Sequence, residues 1–169
     1  MTALPTLGDI DLLIFDFDGV LTDNRVLVSS NGVESVMCHR GDGWGINLLR
    51  KAGLEMVIVS TEANSVVRVR AEKLRLAVTH GVEDKADAVR VLARERNLDL
   101  ARVAFVGNDT NDLPALKIVG WPMSPGDGHA EVRAIARWIS EACGGYGVAR
   151  ELADVLLSKT GPRALGHSA

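Results

Sequence analysis

Three short runs in this chain, Leu12–Phe15, Met56–Val59 and Val103–Val106, are apolar at every position, and each breaks off abruptly into residues rich in side-chain oxygen. Runs of that kind fit strands buried on both faces, as in a parallel sheet covered by helices. Between them lie stretches with helical spacing. Ile46, Leu48, Leu49 and Ala52 suit a helix with Asp42 as its cap and Gly53 as its stop. Asn64–Leu74, Asp84–Asn97 and Gly147–Ser158 read as helices, and Asp112–Val119 begins another. Leu76–Thr79 reads as a further strand, with Trp121–Met123 and Arg137–Ile139 as short edge strands. The alternation predicts an α/β fold, a Rossmann-like three-layer α/β/α sandwich around a mostly parallel sheet. In such folds ligands bind beyond the carboxyl ends of the strands.

One segment departs from the alternation. Val26, Val28 and Ser30, then Val33, Ser35 and Met37, keep a two-residue period on either side of Asn31-Gly32. That is a hairpin signal, and the segment 25–40 reads as a small β-hairpin flap, too short for a separate lid. We expect an N-terminal extension over 1–9, one domain over 10–159 and a flexible tail over 160–169. The 169 residues include 47 % apolar side chains, enough for a substantial core. With 19 basic against 22 acidic residues, the net charge of −3 offers no basic field for nucleic acid and no polybasic membrane patch. The N-terminus lacks a signal-peptide pattern, no apolar run spans a bilayer, and Cys38 and Cys143 form no CxxC pair. A cytoplasmic protein with reduced thiols is expected.

The functional reading rests on the residues that stand just after each strand. After the first come Asp16 and Asp18, with Gly19 next to them. Two carboxylates leaving a buried strand need a partner, because burying charge is costly. Mg²⁺ is such a partner, and a carboxylate can also attack phosphorus. After the second strand stands Ser60, a hydroxyl that can donate to a phosphate or simply cap a helix. After the third comes Lys85, whose ammonium can neutralise a phosphoryl group or stay in solvent. After the fourth comes a second oxygen-rich cluster, Gly107–Asp112, able to complete a metal site or to start a capped helix. The order of the four carries more weight than any one of them.

In that order the sequence resembles the haloacid dehalogenase (HAD) superfamily. Asp16–Asp23 (DFDGVLTD) resembles its first motif, Ser60 its second, Lys85 its third and Gly107–Asp112 (GNDTND) its fourth. The stretches HRGDGWGI, VRAEKL, NDLPAL and GGYGVARE are similar to the cap-less branch containing octulosonate and nonulosonate phosphate phosphatases. The HAD-like domain of some acylneuraminate cytidylyltransferases belongs to the same branch. The resemblance implies a Mg²⁺-dependent phosphatase acting on a sugar-acid phosphate through an aspartyl phosphate. Asp16 would be nucleophile and metal ligand, and Asp18 general acid/base with its carbonyl on the metal. Gly19, Ser60 and Thr61 would hold phosphate together with Lys85. Asn108, Asp109 and Asp112 would serve the metal, and Arg40, Asp42 and Glu62 would contact substrate. A homotetramer is implied, with neighbours' hairpins and C-terminal segments closing each site.

Two residues depart from the pattern. Asn108 stands where the fourth motif usually has Asp, which removes a charge from the metal site. Thr61-Glu62 stands where octulosonate phosphatases have Gly-Arg, which resembles the nonulosonate side. Two rivals remain: a non-catalytic HAD-like module beside a cytidylyltransferase, and a receiver-type phospho-acceptor domain. In a receiver the Lys comes last, whereas Lys85 precedes the second acidic cluster.

Overall fold

A computed structural model describes residues 5–158. Six strands form one sheet in the order β5-β4-β1-β6-β7-β8. They are β1 (Leu12–Phe15), β4 (Glu55–Val59), β5 (Ala77–Thr79), β6 (Val103–Val106), β7 (Trp121–Ser124) and β8 (Trp138–Ile139). All five neighbouring pairs run parallel. The chain leaves β1 toward β4 and β5, then crosses back to β6 on the other flank, so the order reverses at β1. That reversal opens a crevice at the carboxyl ends of β1, β4 and β6.

Side chains alternate between the two faces. Leu13 and Phe15 join Met56, Ile58 and Val106 in a core with α1 (Arg40–Lys51), α2 (Ser65–Leu74) and α6 (Val148–Ser158). Leu12 and Ile14 join Val57, Val59 and Phe105 in a second core with α3 (Lys85–Glu95), α4 (Leu113–Leu116) and α5 (Ala130–Ile135). The three-layer expectation is met. Both cores are apolar throughout, which is why the strands read as unbroken hydrophobic runs.

The hairpin is a separate antiparallel pair, β2 (Thr22–Val28) and β3 (Glu34–Cys38), turning through Asn31-Gly32 with Gly32 at φ +80°. Several details differ from the sequence-based expectation. Of the two expected edge strands β7 is interior, flanked by β6 and β8, and β8 lies at an edge, with β5 at the other. α5 has no counterpart among the expected helices. Asp42 does not cap its own helix: α1 begins two residues earlier, after His39, and Asp42 lies in its first turn. The Asp42 Oδ1 atom accepts instead from the Ala149 and Arg150 amides, at 2.8 and 3.3 Å, and so closes the N-terminus of α6. α1 and α6 approach closely at Gly45, where a Cβ would lie 2.5 Å from the Ala149 carbonyl oxygen. The expected tail 160–169 lies outside the described residues. Among the described residues no helix is long and apolar enough to cross a membrane.

Candidate active site

Asp16 comes directly after the last residue of β1, and its amide donates to the Val106 carbonyl at 2.9 Å, so the backbone there is tied to β6. Its side chain is buried. Lys85, the first residue of α3, brings its Nζ to 2.8 Å from Asp16 Oδ1 and 2.6 Å from Asp112 Oδ1. Lys85 is itself buried, so this ammonium serves two carboxylates away from bulk water. Burial, and then the charge of Asp112, push the Asp16 carboxyl up to about 7, against the pull of Lys85. Burial works against the charge on Lys85, but Asp16 and Asp112 outweigh it and hold its pKa above the usual lysine value. Two carboxylates and one ammonium leave a negative surplus, and a cation or a proton must offset it.

The chain then turns tightly: the Leu21 and Thr22 amides both donate to the Phe17 carbonyl, at 2.9 and 3.2 Å. Gly19 takes φ +78°, which a residue with a side chain rarely adopts. The buried Thr22 hydroxyl accepts the Gly19 amide at 3.2 Å and lies 3.4 Å from Asp18 Oδ1. The Gly19 amide, expected to face phosphate, here donates within the turn. Gly19 matters for space instead, since a Cβ there would lie 2.1 Å from the Asn108 amide group. Asp18 is partly exposed. Burial, then the neighbouring Glu62 and, more weakly, Glu34 push its carboxyl up, against the Thr22 hydroxyl and Lys85.

After β6 the second cluster wraps around Asp112. Asp112 Oδ2 accepts the Asn108 and Asp109 amides at 2.8 and 3.2 Å, while Oδ1 holds Lys85. Asp109 caps the short 3-10 turn Thr110–Asp112 through Thr110 N at 2.7 Å. The Asn108 side chain reaches back to the first cluster. One terminal atom of its amide lies 3.2 Å from Asp16 Oδ2 and 2.9 Å from the Asp18 carbonyl oxygen. With the nitrogen turned inward, it donates to both. With the oxygen turned inward, three oxygens from β1 and β6 meet at one point. That donor set of carboxylate, carbonyl and amide fits a small hard divalent cation. No group of three or more His, Cys, Asp or Glu side chains suited to a metal occurs among the described residues, so a cation here depends on the amide and carbonyl oxygens.

Asp16, Asp18, Ser60, Thr61, Asn108 and Asp109 line one cavity of about 190 Å³, with Asn24 and Asn111 at its sides. Ser60 is buried at the end of β4, and its Oγ accepts the Glu62 amide at 3.1 Å, which leaves the hydroxyl proton free to donate. A second cavity of about 270 Å³ shares Asp18 and Asn24 and continues along the hairpin past Arg25, Glu34, Glu62 and Asn64. Arg40 is elsewhere, on a cavity of about 600 Å³ with Arg50, Arg70, Lys73 and Arg75. Asp42 is buried under α6 and reaches neither catalytic cavity.

A family model described as haloacid dehalogenase-like hydrolase matches residues 51–152. The chain belongs to the haloacid dehalogenase-like hydrolases. The 3-deoxy-D-manno-octulosonate 8-phosphate phosphatase of Escherichia coli K12 is 31 % identical over 156 residues, spanning 90 % of this chain and 82 % of that one. A HAD-family hydrolase from Streptomyces avermitilis superposes with a TM-score of 0.92 at 48 % identity, covering 94 % of this chain and 91 % of that one. The octulosonate phosphatase of Moraxella catarrhalis, solved with magnesium, phosphate and 3-deoxy-D-manno-octulosonate, superposes at 0.86 with 29 % identity over 90 % and 88 % of the two chains. This HAD-family chain is accordingly an enzyme, a phosphoric monoester hydrolase.

The fold thus gathers Asp16, Asp18, Ser60, Thr61, Asn108 and Asp109 on one cavity, with Lys85 and Asp112 directly behind Asp16 and Glu62 next door. Sequence reasoning missed Asn24, a neutral residue in β2, and gave Asn111, inside the fourth-motif stretch, no part in the site. It quoted Thr22 within the first motif but gave its hydroxyl no role. The order of strand–helix units, which decides which loops meet, carries no local signal for such residues.

Proposed function

We propose that this chain is a Mg²⁺-dependent phosphatase that hydrolyses a sugar-acid phosphate of the octulosonate or nonulosonate type through an aspartyl phosphate on Asp16. The observation that carries the reading is the convergence of Asp16, the Asp18 carbonyl and Asn108 beside a cavity with a buried Ser hydroxyl. Asp16, Asn108 and the Asp18 carbonyl would hold Mg²⁺, which supplies positive charge against the phosphate oxygens. Ser60 and Thr61 donate to the phosphate. Lys85 holds one oxygen of Asp16 and orients the carboxylate for in-line attack on phosphorus. Asp18, kept protonated more readily by burial and by Glu62, gives its proton to the leaving sugar oxygen. It then takes a proton from the water that hydrolyses the aspartyl phosphate. Asp112 acts from behind by fixing Lys85 and the Asn108 backbone.

The adjoining cavity suits the leaving group. Glu34, Glu62, Asn24 and Asn64 offer acceptors and donors for hydroxyls, whereas its carboxylates would repel an acid group. We therefore infer that the polyol chain lies there and the substrate's carboxylate points outward. The relatives named for octulosonate phosphate favour the eight-carbon acid; Glu62 after Thr61 favours the nine-carbon one. Arg40 and its basic neighbours would reach a substrate only from another copy. Such a copy is in keeping with the hairpin, where Leu27, Val33 and Met37 are 69, 55 and 71 % exposed. We infer a homotetramer in the cytoplasm, where the free thiols of Cys38 and Cys143 stay reduced.

The test is a phosphate-release screen over sugar-acid and simple sugar phosphates with Mg²⁺, run beside Asp16→Asn. Mg²⁺-dependent release from an eight- or nine-carbon acid phosphate, absent in the variant, is expected. No release from any ester, or equal release by the variant, overturns the reading.

A further inference from the structure

Gly19 is held on both sides, at the Asp18–Gly19 peptide that precedes it and at the Gly19–Val20 peptide that follows. On one side the Asn108 amide lies 2.9 Å from the Asp18 carbonyl oxygen, in space that a Cβ on Gly19 would fill. On the other side lies Gly144, so near that a Cβ there would stand 2.0 Å from the Gly19 carbonyl oxygen. The next residue, Gly145, donates its amide to the Val20 carbonyl at 3.0 Å. At φ +72° it packs against the backbone of Thr22 and Asp23. The segment 140–147 is therefore a brace laid along the whole first-motif turn.

The brace is fixed in turn by two carboxylates. Glu151 of α6 accepts from the Ser140 hydroxyl and from the Glu141 and Ala142 amides at 2.5, 3.0 and 2.9 Å. Asp127, exposed on the loop after β7, accepts the Gly144 amide through Oδ1 at 2.8 Å. That same loop holds the other cluster, because the His129 amide donates to the Asn108 carbonyl at 2.7 Å. Within the loop, Gly128 donates to the Pro125 carbonyl at 3.1 Å, which keeps Asp127 and His129 in a fixed relation. Asp127 thus lies on a path that runs from the Gly19 carbonyl through Gly144 to the loop holding the Asn108 backbone, without passing through the cavity.

We propose that Asp127 is a positioning residue for the metal site, acting through Gly144 to set the spacing between the Asp18 carbonyl and the Asn108 side chain. This rests on the phosphatase reading above. Asp127 touches neither phosphate nor cation. Its carboxylate matters because Gly144 has no side chain with which to hold itself against Gly19. Loss of the 2.8 Å bond frees Gly144 to retreat from the Gly19 carbonyl, and Gly19, which carries the Asp18 carbonyl on its other side, loses its backing. Outer partners of this kind alter metal affinity or activity by about 10–100-fold.

The experiment compares wild type, Asp127→Ala, Asp127→Asn and Gly144→Ala by calorimetric titration with Mg²⁺ alone, by steady-state kinetics and by thermal unfolding without metal. Asp127→Ala is expected to bind Mg²⁺ about 10–100-fold more weakly and to lower kcat in step. KM at saturating Mg²⁺ and the metal-free melting temperature are expected to stay near wild type. Asp127→Asn keeps an acceptor oxygen for the Gly144 amide and is expected to recover most of the affinity. Gly144→Ala, which drives a methyl group at the Gly19 carbonyl, is expected to reproduce the Mg²⁺ defect from the other end of the same bond. Wild-type Mg²⁺ affinity in Asp127→Ala overturns the proposal. So does a defect that Asp127→Asn fails to relieve, or one that tracks a collapse of the melting temperature in both Asp127 variants. A wild-type protein that binds Mg²⁺ but hydrolyses no ester would instead count against the phosphatase reading, because the titration reads the positioning role by itself.

Discussion

The floor of the active site and the β2–β3 hairpin break the rules of burial in opposite directions. At the floor, Asp16, Lys85 and Asp112 are each no more than 4 % exposed, although charges belong in water. On the hairpin, Leu27 and Met37 are about 70 % exposed, although apolar side chains belong inside. At the floor Lys85 lies within 2.8 Å of both carboxylates and Asp112 takes two backbone amides, which leaves one negative charge in surplus. The hairpin forms a sheet of its own, with Val36 and Cys38 turned to the core and Leu27 and Met37 turned away. On the proposed reading each anomaly is relieved from outside the chain, the surplus charge of the floor by a cation and the apolar face of the hairpin by another copy.

The sharpest way to break the comparison is Asp16→Asn. It removes the proposed nucleophile while keeping shape, so turnover is expected to fall by about 10³-fold or more with the melting curve preserved. Near-normal phosphate release would mean the floor is structural after all. Lys85→Ala tests whether the floor's order depends on the ammonium. It leaves two buried carboxylates facing each other, and a loss of about 3–5 kcal/mol in urea unfolding is expected. The same floor sets a pH dependence in the metal-free wild type. Asp16 rises from 3.8 toward about 7 on folding, so the folded state keeps a proton that the unfolded chain has lost. Its contribution to stability therefore declines as pH climbs through that interval and levels off above it. Melting with a chelator between pH 4 and 8 reads the slope, and added Mg²⁺ is expected to flatten it.

Asn108→Asp sharpens the other side of the floor by restoring a charge where the three oxygens meet. The Mg²⁺ concentration for half-maximal activity is expected to drop by about tenfold, since ligand charge tunes the affinity of such sites. The smallest effect on folding belongs to the hairpin. Leu27→Ser with Met37→Ser is expected to change monomer stability by no more than about 0.5 kcal/mol, as for other exposed positions. Sedimentation is nonetheless expected to show the tetramer falling apart. A wild-type protein that sediments as a monomer would leave the hairpin's exposed residues without a partner.

Much of the frame could be read from the residues in order. Leu12–Phe15 and Val103–Val106 announce buried strands because each is apolar on both faces, and Asn31-Gly32 announces the hairpin by its turn chemistry. The site came from asking which residue stands after each strand, which located Asp16, Ser60 and Lys85. Asp42 was misread because its partners, the amides of Ala149 and Arg150, lie more than a hundred residues away. A cap looks the same in sequence whichever helix it serves. The bond from the Gly19 amide to Thr22 was not legible either, since a hydroxyl three residues on leaves no distinct pattern in sequence. The brace at Gly144 and Gly145 left only the absence of side chains as a trace, which is compatible with many turns.

The sheet order has one further consequence. β1 is bonded to β4 on one flank and β6 on the other, while β5 and β8 each have a single neighbour. Edge strands can fray by local opening, but the amides of Leu13 and Phe15 can exchange with deuterium only when the whole sheet comes apart. Asp16, the proposed nucleophile, thus follows directly on the strand at the centre of the sheet, and fraying at either edge is not expected to reach it.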